Sequence, residues 1–244
     1  MNATAGYRFT IVVPLYNERD NLPRLEEELA AYVAHSSAQP AGVLLVDDGS
    51  TDGGSALVEA ICARHANFHF LRFERNRGLS AALKAGFDAC ESPLVGYIDA
   101  DLQTDPEDFE LLLSHASDHA LVTGIRTGRK DSRTKRLISR LANSGRRAIV
   151  HDTAVDTGCP LKVLQTPYAR QLPALDGMHR FLPALVAGLG GTYAQIPVRH
   201  APRTAGKSKF GFSNRFWGPI RDAFGYRWYL RRVVDCTPSQ SDLD

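Results

Sequence analysis

An α/β fold, with a mostly parallel sheet and helices on both faces, is predicted by two features of this sequence. Short apolar, β-branched runs alternate with stretches whose apolar residues recur at helical spacing, and this strand–helix unit occurs four times in the first half of the chain. The turns that follow the first, second and fourth runs are all rich in acids, amides or glycine. In such a sheet those turns lie on one edge, outside the carboxyl ends of the strands, where ligands bind. The 244 residues suit one large domain or two small ones, and a hydrophobic fraction of 43% supplies a real core.

The first strand is read over residues 9–15, β-branched from Thr10 to Val13, and it ends in Pro14-Leu15-Tyr16-Asn17-Glu18. Leu22, Leu25, Leu29 and Val33 then mark a helix over 21–35. Residues 43–46 form the second strand, which ends in Asp47-Asp48-Gly49-Ser50-Thr51-Asp52-Gly53, a turn whose glycines would let a ligand approach the backbone. A helix over 55–65, a strand over 68–73, a turn over 74–78 and an alanine-rich helix over 79–90 follow. The fourth apolar run, 93–98, stops abruptly at Asp99-Ala100-Asp101-Leu102-Gln103. Alternate residues of an extended chain face the same way, so the two carboxylates lie side by side. They repel unless a cation joins them or one takes a proton, and a hard divalent ion suits such oxygens. Gln103 offers a neutral oxygen on the same side. The competing reading is a solvated turn, because Thr104-Asp105-Pro106-Glu107 also looks like a helix start. A helix over 106–117 and a fifth strand over 120–125 complete this half.

Beyond it, the charge changes sign. Residues 1–110 carry 8 Lys/Arg against 18 Asp/Glu, whereas residues 111–244 carry 21 against 9. The basic half should face something anionic. Its densest run is Arg126, Arg129, Lys130, Arg133, Lys135, Arg136, Arg140, Arg146 and Arg147, interrupted by Asp131 alone. Residues 135–150 read as a helix, 161–164 as a strand, 179–189 as a helix broken by Gly190-Gly191, and 192–198 as another strand. The segment from Arg203 to Phe212, with Gly206, Lys207, Ser208 and Lys209, reads either as a plain surface loop or as a mobile loop able to close on a pyrophosphate. Residues 216–229 mix six aromatic rings with arginines, which suits either the headgroup zone of a membrane or packing on the sheet, and Gly218-Pro219 allows a break between two shorter pieces. The four cysteines are scattered, with no metal-ligand spacing or disulfide framework, so a reducing cytosol is the expected setting. No window of about 18 apolar residues predicts a transmembrane helix, so a soluble or peripheral chain is expected. Without a spaced aromatic stacking platform, and with an acidic ligand edge, nucleic acid is not an expected partner.

Val12-Val13-Pro14-Leu15-Tyr16-Asn17-Glu18, Val46-Asp47-Asp48-Gly49-Ser50 and Asp99-Ala100-Asp101-Leu102-Gln103 stand in order at familiar spacing. On these residues the chain resembles the family 2 inverting glycosyltransferases of GT-A (Rossmann-like) fold, and within them the polyprenyl-phosphate sugar transferases of the dolichyl-phosphate mannose synthase type. The resemblance runs from about Arg8 to Leu230. It implies a GT-A domain over 1–212, an amphipathic membrane-interface helix over 213–234 and a loose tail over 235–244. By position, Pro14, Tyr16, Glu18, Val46 and Asp48 would hold the nucleoside. Asp99, Ala100, Asp101 and Gln103 would hold Mg2+ or Mn2+ and the donor diphosphate, the metal itself on Asp99, Asp101 and Gln103. Arg203 and Lys209 would cover the donor. Arg126, Lys135 (where the family usually has arginine) and Ser139 would grip the acceptor phosphate, and Asp99, Asp101 and Arg126 would carry the reaction.

The implied activity is inverting transfer of a sugar from a GDP- or UDP-linked donor to a polyprenyl phosphate, undecaprenyl or dolichyl, for envelope glycan or lipid A modification. Many bacterial relatives of this type carry two transmembrane helices beyond the matching region. Membrane contact is therefore expected to rest on the aromatic–arginine segment or on a membrane-protein partner, with the chain peripheral on the cytoplasmic face. One alternative is a family 2 transferase acting on a saccharide hydroxyl, for which Asp156 would be the base. The other is a non-catalytic nucleotide-binding subunit.

Overall fold

The computed structural model describes residues 4–127, 150, 153–199 and 217–232. Seven strands form one sheet: β1 (Phe9–Leu15), β2 (Ala41–Asp47), β3 (Phe68–Arg72), β4 (Leu94–Tyr97), β5 (Leu121–Arg126), β6 (Lys162–Gln165) and β7 (Tyr193–Val198). Their order across the sheet is β3-β2-β1-β4-β6-β5-β7. All neighbours are parallel except β6, which runs antiparallel to both β4 and β5. The carboxyl ends of β1, β2, β4 and β5 therefore share an edge, and the amino end of β6 arrives at that same edge.

Every residue of β1 and β2 is buried, as expected of strands covered on both faces. Phe9, Ile11, Val13, Val43 and Leu45 pack on one side with α1 (Leu22–His35), α2 (Gly54–Arg64) and α4 (Phe109–Leu113). Val12, Leu44 and Val46 pack on the other with α3 (Leu79–Ala89), α5 (Thr166–Gln171), α6 (Leu182–Gly188) and α7 (Trp217–Leu230). Helix α3 lies so close to the sheet that a Cβ at Gly86 would meet Val12 Cγ1 at 2.5 Å. Truncating Leu83 or Phe87, both wholly buried beside it, removes contacts of the kind that cost about 2–5 kcal/mol.

The first three strand–helix units form as the apolar spacing predicts, and the fourth strand forms as well. Five details differ. The helix expected over 106–117 is a 3-10 turn, Pro106–Asp108, followed by one short helix to Leu113. It stops because Ser114 Oγ donates back to Leu111 O and the next amides make tighter bonds, His115 to Leu112 and Ala116 to Leu113. The strand expected at 161–164 is antiparallel, which no local pattern discloses. The helix expected at 179–189 is split into a turn, Met178–Arg180, and α6, with Pro183 near the start of the latter. No break occurs at Gly218-Pro219: α7 runs continuously, and Pro219 sits in its first turn, where its missing N–H costs nothing. Helix α5 was not foreseen. Among the described residues no helix is long and apolar enough to cross a membrane.

Candidate active site

The turn after β1 and the turn after β2 are stitched into one rim. The Asn17 amide donates to Ser50 Oγ at 3.0 Å, and the Thr51 amide donates to Asn17 Oδ1 at 2.7 Å. Asn17 adopts φ 53° to do this, a left-handed conformation that asparagine tolerates better than most residues. Asp47 folds the second turn inward by accepting from the Ser50 amide and the Ser55 hydroxyl. Both oxygens of buried Asp48 accept backbone amides, those of Arg77 at 2.7 Å and Gly78 at 2.8 Å. Its carboxylate therefore shapes the rim by holding the turn after β3. Gly49 has φ 71°, and a Cβ there would meet the Arg75 carbonyl carbon at 2.4 Å, so its close approach is to the chain itself. Pro14 and Val46 pair across β1 and β2. Val46 is wholly buried, main chain included, between β1 and β3. Tyr16 and Glu18 are half-buried on the rim, and Glu18 accepts from Asn21 at 2.6 Å.

At the centre of the edge, β4 delivers Asp99 and Asp101, both half-buried, with Ala100 buried between them. Tyr97 Oη donates to Asp99 Oδ1 at 2.8 Å. Burial and then the Asp101 charge push the Asp99 carboxyl up to about 6, with the Tyr97 bond and the charges of Lys162 and Arg126 pulling the other way. Leu102 stands at φ 44°, an uncommon conformation for a leucine and the kind of strain found where a site imposes the backbone path. The Gln103 amide faces Asp101 Oδ1 at 3.4 Å. A separate cavity of about 440 Å3, lined by Arg24, Glu28, Asp105, Glu107 and Arg199 among others, shares only Leu102 with this acidic stretch.

Arg126 closes the edge from β5. Its Nε and Nη2 donate to Asp156 at 2.9 and 2.8 Å, and its amide to the same carboxylate at 3.2 Å. The two side chains are 13% and 14% exposed. Burial alone would lower the guanidinium pKa, and the Asp156 bonds and charge, with the charges of Cys159 and Asp99, together outweigh it, so the value rises. Gly158 leaves room for the fork, since a Cβ there would lie 3.0 Å from Arg126 Nη2. Asp99 and Arg126 are near enough for each to shift the other's titration. The structure thus brings the acidic stretch and Arg126 to one place. Lys135, Ser139, Arg203 and Lys209 lie outside the described residues.

Sequence reasoning missed Lys162. It is the first residue of β6, is 1% exposed, and stands opposite Tyr97 in the register. Its ammonium donates to the Cys159 carbonyl and sits 5.6 Å from the Tyr97 ring centre. The available signal was a lone cation inside Leu161-Lys162-Val163-Leu164, an otherwise apolar run. Burial lowers its pKa, and the negative charges of Asp156 and Asp99 work against that.

Two half-buried carboxylates, one of them held up to about 6, are a donor set that a hard cation would relieve. Among the described residues no group of three or more acidic, histidine or cysteine side chains gathers. Asp99 and Asp101 therefore fit a Mg2+ or Mn2+ that draws its other ligands from a bound phosphate group and water.

Residues 10–163 match the family model described as glycosyl transferase family 2. The chain is 34% identical over 203 residues to an undecaprenyl-phosphate 4-deoxy-4-formamido-L-arabinose transferase of Pseudomonas fluorescens, covering 82% of this chain and 59% of that one. It is 34% identical over 228 residues to a dodecaprenyl-phosphate galacturonate synthase of Rhizobium johnstonii, covering 91% and 67%. The chain thus spans about three fifths to two thirds of the length of these curated relatives. Glucosyl-3-phosphoglycerate synthase from Mycobacterium tuberculosis, in a crystal structure with Mn2+ and UDP-glucose, has a similar fold, with a TM-score of 0.67 at 16% identity over 96% of this chain and 82% of that one.

Proposed function

Because the chain belongs to glycosyl transferase family 2, we propose that it transfers a sugar from a nucleotide-sugar donor to a polyprenyl phosphate, with inversion at the anomeric carbon. The observation that carries this reading is the pairing of charge at one sheet edge: Asp99 and Asp101 beside an Arg126 whose orientation Asp156 fixes. The names of the relatives, which specify undecaprenyl and dodecaprenyl phosphate, support the acceptor class.

In this mechanism the rim at Pro14, Tyr16, Glu18, Val46 and Asp48 receives the nucleoside, and the backbone from Asp99 to Gln103 orients the donor diphosphate. A divalent ion bound there would neutralise charge on the leaving diphosphate. The acceptor phosphate is already anionic and needs no general base. Arg126, held as a fork by Asp156, aims one of its oxygens at the sugar, with Lys135 and Ser139 assigned to the same phosphate. Arg203 and Lys209 are assigned to cover the donor.

Asp156 bears on the competing reading, transfer to a saccharide hydroxyl. Both its oxygens accept from Arg126, so it serves as an anchor and not as a waiting base. The N-terminal 212 residues act as the transferase domain. Helix α7 is assigned to the membrane surface, on the cytoplasmic face: Ala223 and Tyr226 face the protein, Tyr226 stacking on Phe181 at 4.0 Å, while Phe224 and Trp228 are 60% and 62% exposed with Arg232 over Trp228. Aromatic rings flanked by arginine suit an anionic headgroup layer.

The test is transfer of radiolabelled sugar from GDP- and UDP-linked donors to a short polyprenyl phosphate in Mg2+ or Mn2+. Label extracted into organic solvent, in an acid-labile product, is the expected result. Label that enters only water-soluble saccharide overturns the acceptor assignment.

A further inference from the structure

Nothing in the reaction as described uses Lys162, yet its surroundings are built around it. A lysine 1% exposed in a sheet interior loses its hydration, and chains keep such a group only where neighbours compensate it. Four neighbours do so here. The Cys159 carbonyl, in the turn that leads from Asp156 into β6, accepts from Nζ. The Tyr97 ring lies under the ammonium at 5.6 Å, and its hydroxyl holds Asp99 at 2.8 Å. The carboxylates of Asp156 and Asp99 are both within electrostatic reach. Lys162 is thus the point where the acidic half of the edge, through Tyr97, meets the basic half, through the turn that carries Asp156 and hence Arg126.

The position follows from topology. β6 is the antiparallel strand, so its first residue lies at the edge that every other strand leaves, wedged between Tyr97 of β4 and Thr123 of β5. Apolar side chains on either side of that strand fill the core, Leu161 and Val163 on one face and Leu164 on the other. An apolar residue would fill position 162 as well, and its replacement by a cation is a feature that packing alone does not require.

We propose that Lys162 is a positioning residue of the transfer reaction, locking the 156–160 turn onto Tyr97 so that the Arg126 fork and the Asp99–Asp101 pair keep one mutual geometry. This rests on the site reading above. Lys162 touches neither substrate; it acts through Cys159 and Tyr97. Its effect belongs in kcat, where the two substrates must be aligned, and not in the affinity for either one.

Two variants and two readouts test it. Lys162→Met keeps most of the length of the side chain without its charge, and Lys162→Arg keeps a cation able to reach the Cys159 carbonyl and lie on the Tyr97 ring. Donor-to-acceptor transfer by Lys162→Met should fall by about 100-fold in kcat, the cost of a misplacement on the order of 1 Å, with KM for donor and acceptor changed less than about threefold. Lys162→Arg should recover at least about a tenth of the parent rate. A kcat for Lys162→Met within about threefold of the parent, or a Lys162→Arg no better than Lys162→Met, overturns the proposal. So does a loss of rate matched by loss of donor-binding sites per chain, which would mark a purely structural lysine. Hydrogen exchange needs no substrate and separates this proposal from the functional reading: Lys162→Met should loosen residues 97–101 and 156–160 together, and Lys162→Arg neither. Unchanged exchange in both segments overturns the proposal even if transfer is confirmed, and coupled loosening upholds the lock between the two segments even if the acceptor proves not to be a lipid phosphate.

Discussion

Replacing Asp156 by Asn separates an anchor from a base. The substitution keeps shape and one oxygen, but it removes the charge and turns an NH2 toward a guanidinium. Arg126 makes three hydrogen bonds to this carboxylate, and both side chains are less than 15% exposed. Breaking a buried pair of this kind by removing one partner costs about 3–5 kcal/mol. The oxygen retained by asparagine still takes one of the bonds, at about 1 kcal/mol, so a loss of roughly 2–4 kcal/mol is expected. In a chain of this length that lowers Tm by roughly 5–15 °C. The catalytic effect follows from geometry: a fork free to swing by about 1 Å no longer aims the acceptor, and kcat falls by about 100-fold. The assay is transfer of labelled sugar to polyprenyl phosphate at a temperature well below the lowered Tm, beside a denaturation curve of the same sample. A base makes a different prediction: Asp156→Ala would regain activity on addition of formate. Such rescue, or an Asp156→Asn enzyme as fast as the parent, would refute the anchor argument.

Asp101→Ala should abolish nearly all transfer while leaving the fold intact, because the side chain is half-buried at the sheet edge and not in the core; full activity of this variant in Mg2+ or Mn2+ would remove the metal role. Burial, with the charges of Arg180 and Lys162, presses the His179 imidazole down to about 3. Between that value and about 6.5, the unfolded chain binds a proton that the folded chain refuses, so stability is full above about 6.5 and falls as pH drops, by up to about 1.4 kcal/mol per pH unit. His179→Asn should flatten the slope between pH 6.5 and 4 in paired denaturation curves, and an unaltered slope would count against the burial argument. Changing both Phe224 and Trp228 to Ser should weaken co-sedimentation with anionic phospholipid vesicles by at least about tenfold, since each exposed ring can bury about 1.5–3 kcal/mol of apolar surface; equal sedimentation would detach α7 from the membrane. Melting with UDP or GDP, each with Mn2+, should raise stability by about 2.7 kcal/mol for the cognate nucleotide at 100 times its Kd, and no shift with either would contradict a nucleotide-sugar donor.

The first half of the fold was legible because its information is local. Val12 and Val46, with Leu22, Leu25 and Leu29, carry periods of two and 3.6 that a reader can count, and abrupt polar turns mark where each strand stops. The same rule exposed Asp99 and Asp101. What escaped depends on contacts between distant residues. The antiparallel sense of β6 is set by its pairing with Tyr97 and Val122, respectively 65 and 41 positions before Lys162 and Val163, and no window of the chain records it. The partnership of Arg126 with Asp156 was hidden for the same reason: the acid stood out only as a possible base, and its role as an anchor needs the two ends of the β5–β6 excursion brought together. Gly49 was read as room for a ligand, and its backbone instead meets Arg75, because a glycine in a turn does not say which neighbour requires it.

The antiparallel strand also decides where charge resides in this site. If β6 ran parallel to its neighbours, its amino end would lie at the far edge, and Asp156 and Lys162 would be a strand length away from Asp99. Reversed, it adds one acid and one cation to an edge that already holds Asp99, Asp101 and Arg126. The acid is consumed by Arg126 in a two-pronged pair, so Arg126 contributes direction more than net positive charge. Lys162 is buried at the base of the cleft and offsets part of the repulsion at Asp99. Neither cation supplies much free attraction for a phosphate arriving from solution. Under the proposed function, that attraction is assigned to the basic run of the sequence, Arg129, Lys130, Arg133, Lys135, Arg136, Arg140, Arg146 and Arg147, set against Asp131 alone. Charge reversal within that run should therefore raise KM for an anionic acceptor in a salt-dependent way, whereas substitution of Arg126 or Asp156 should act on kcat and change little with salt.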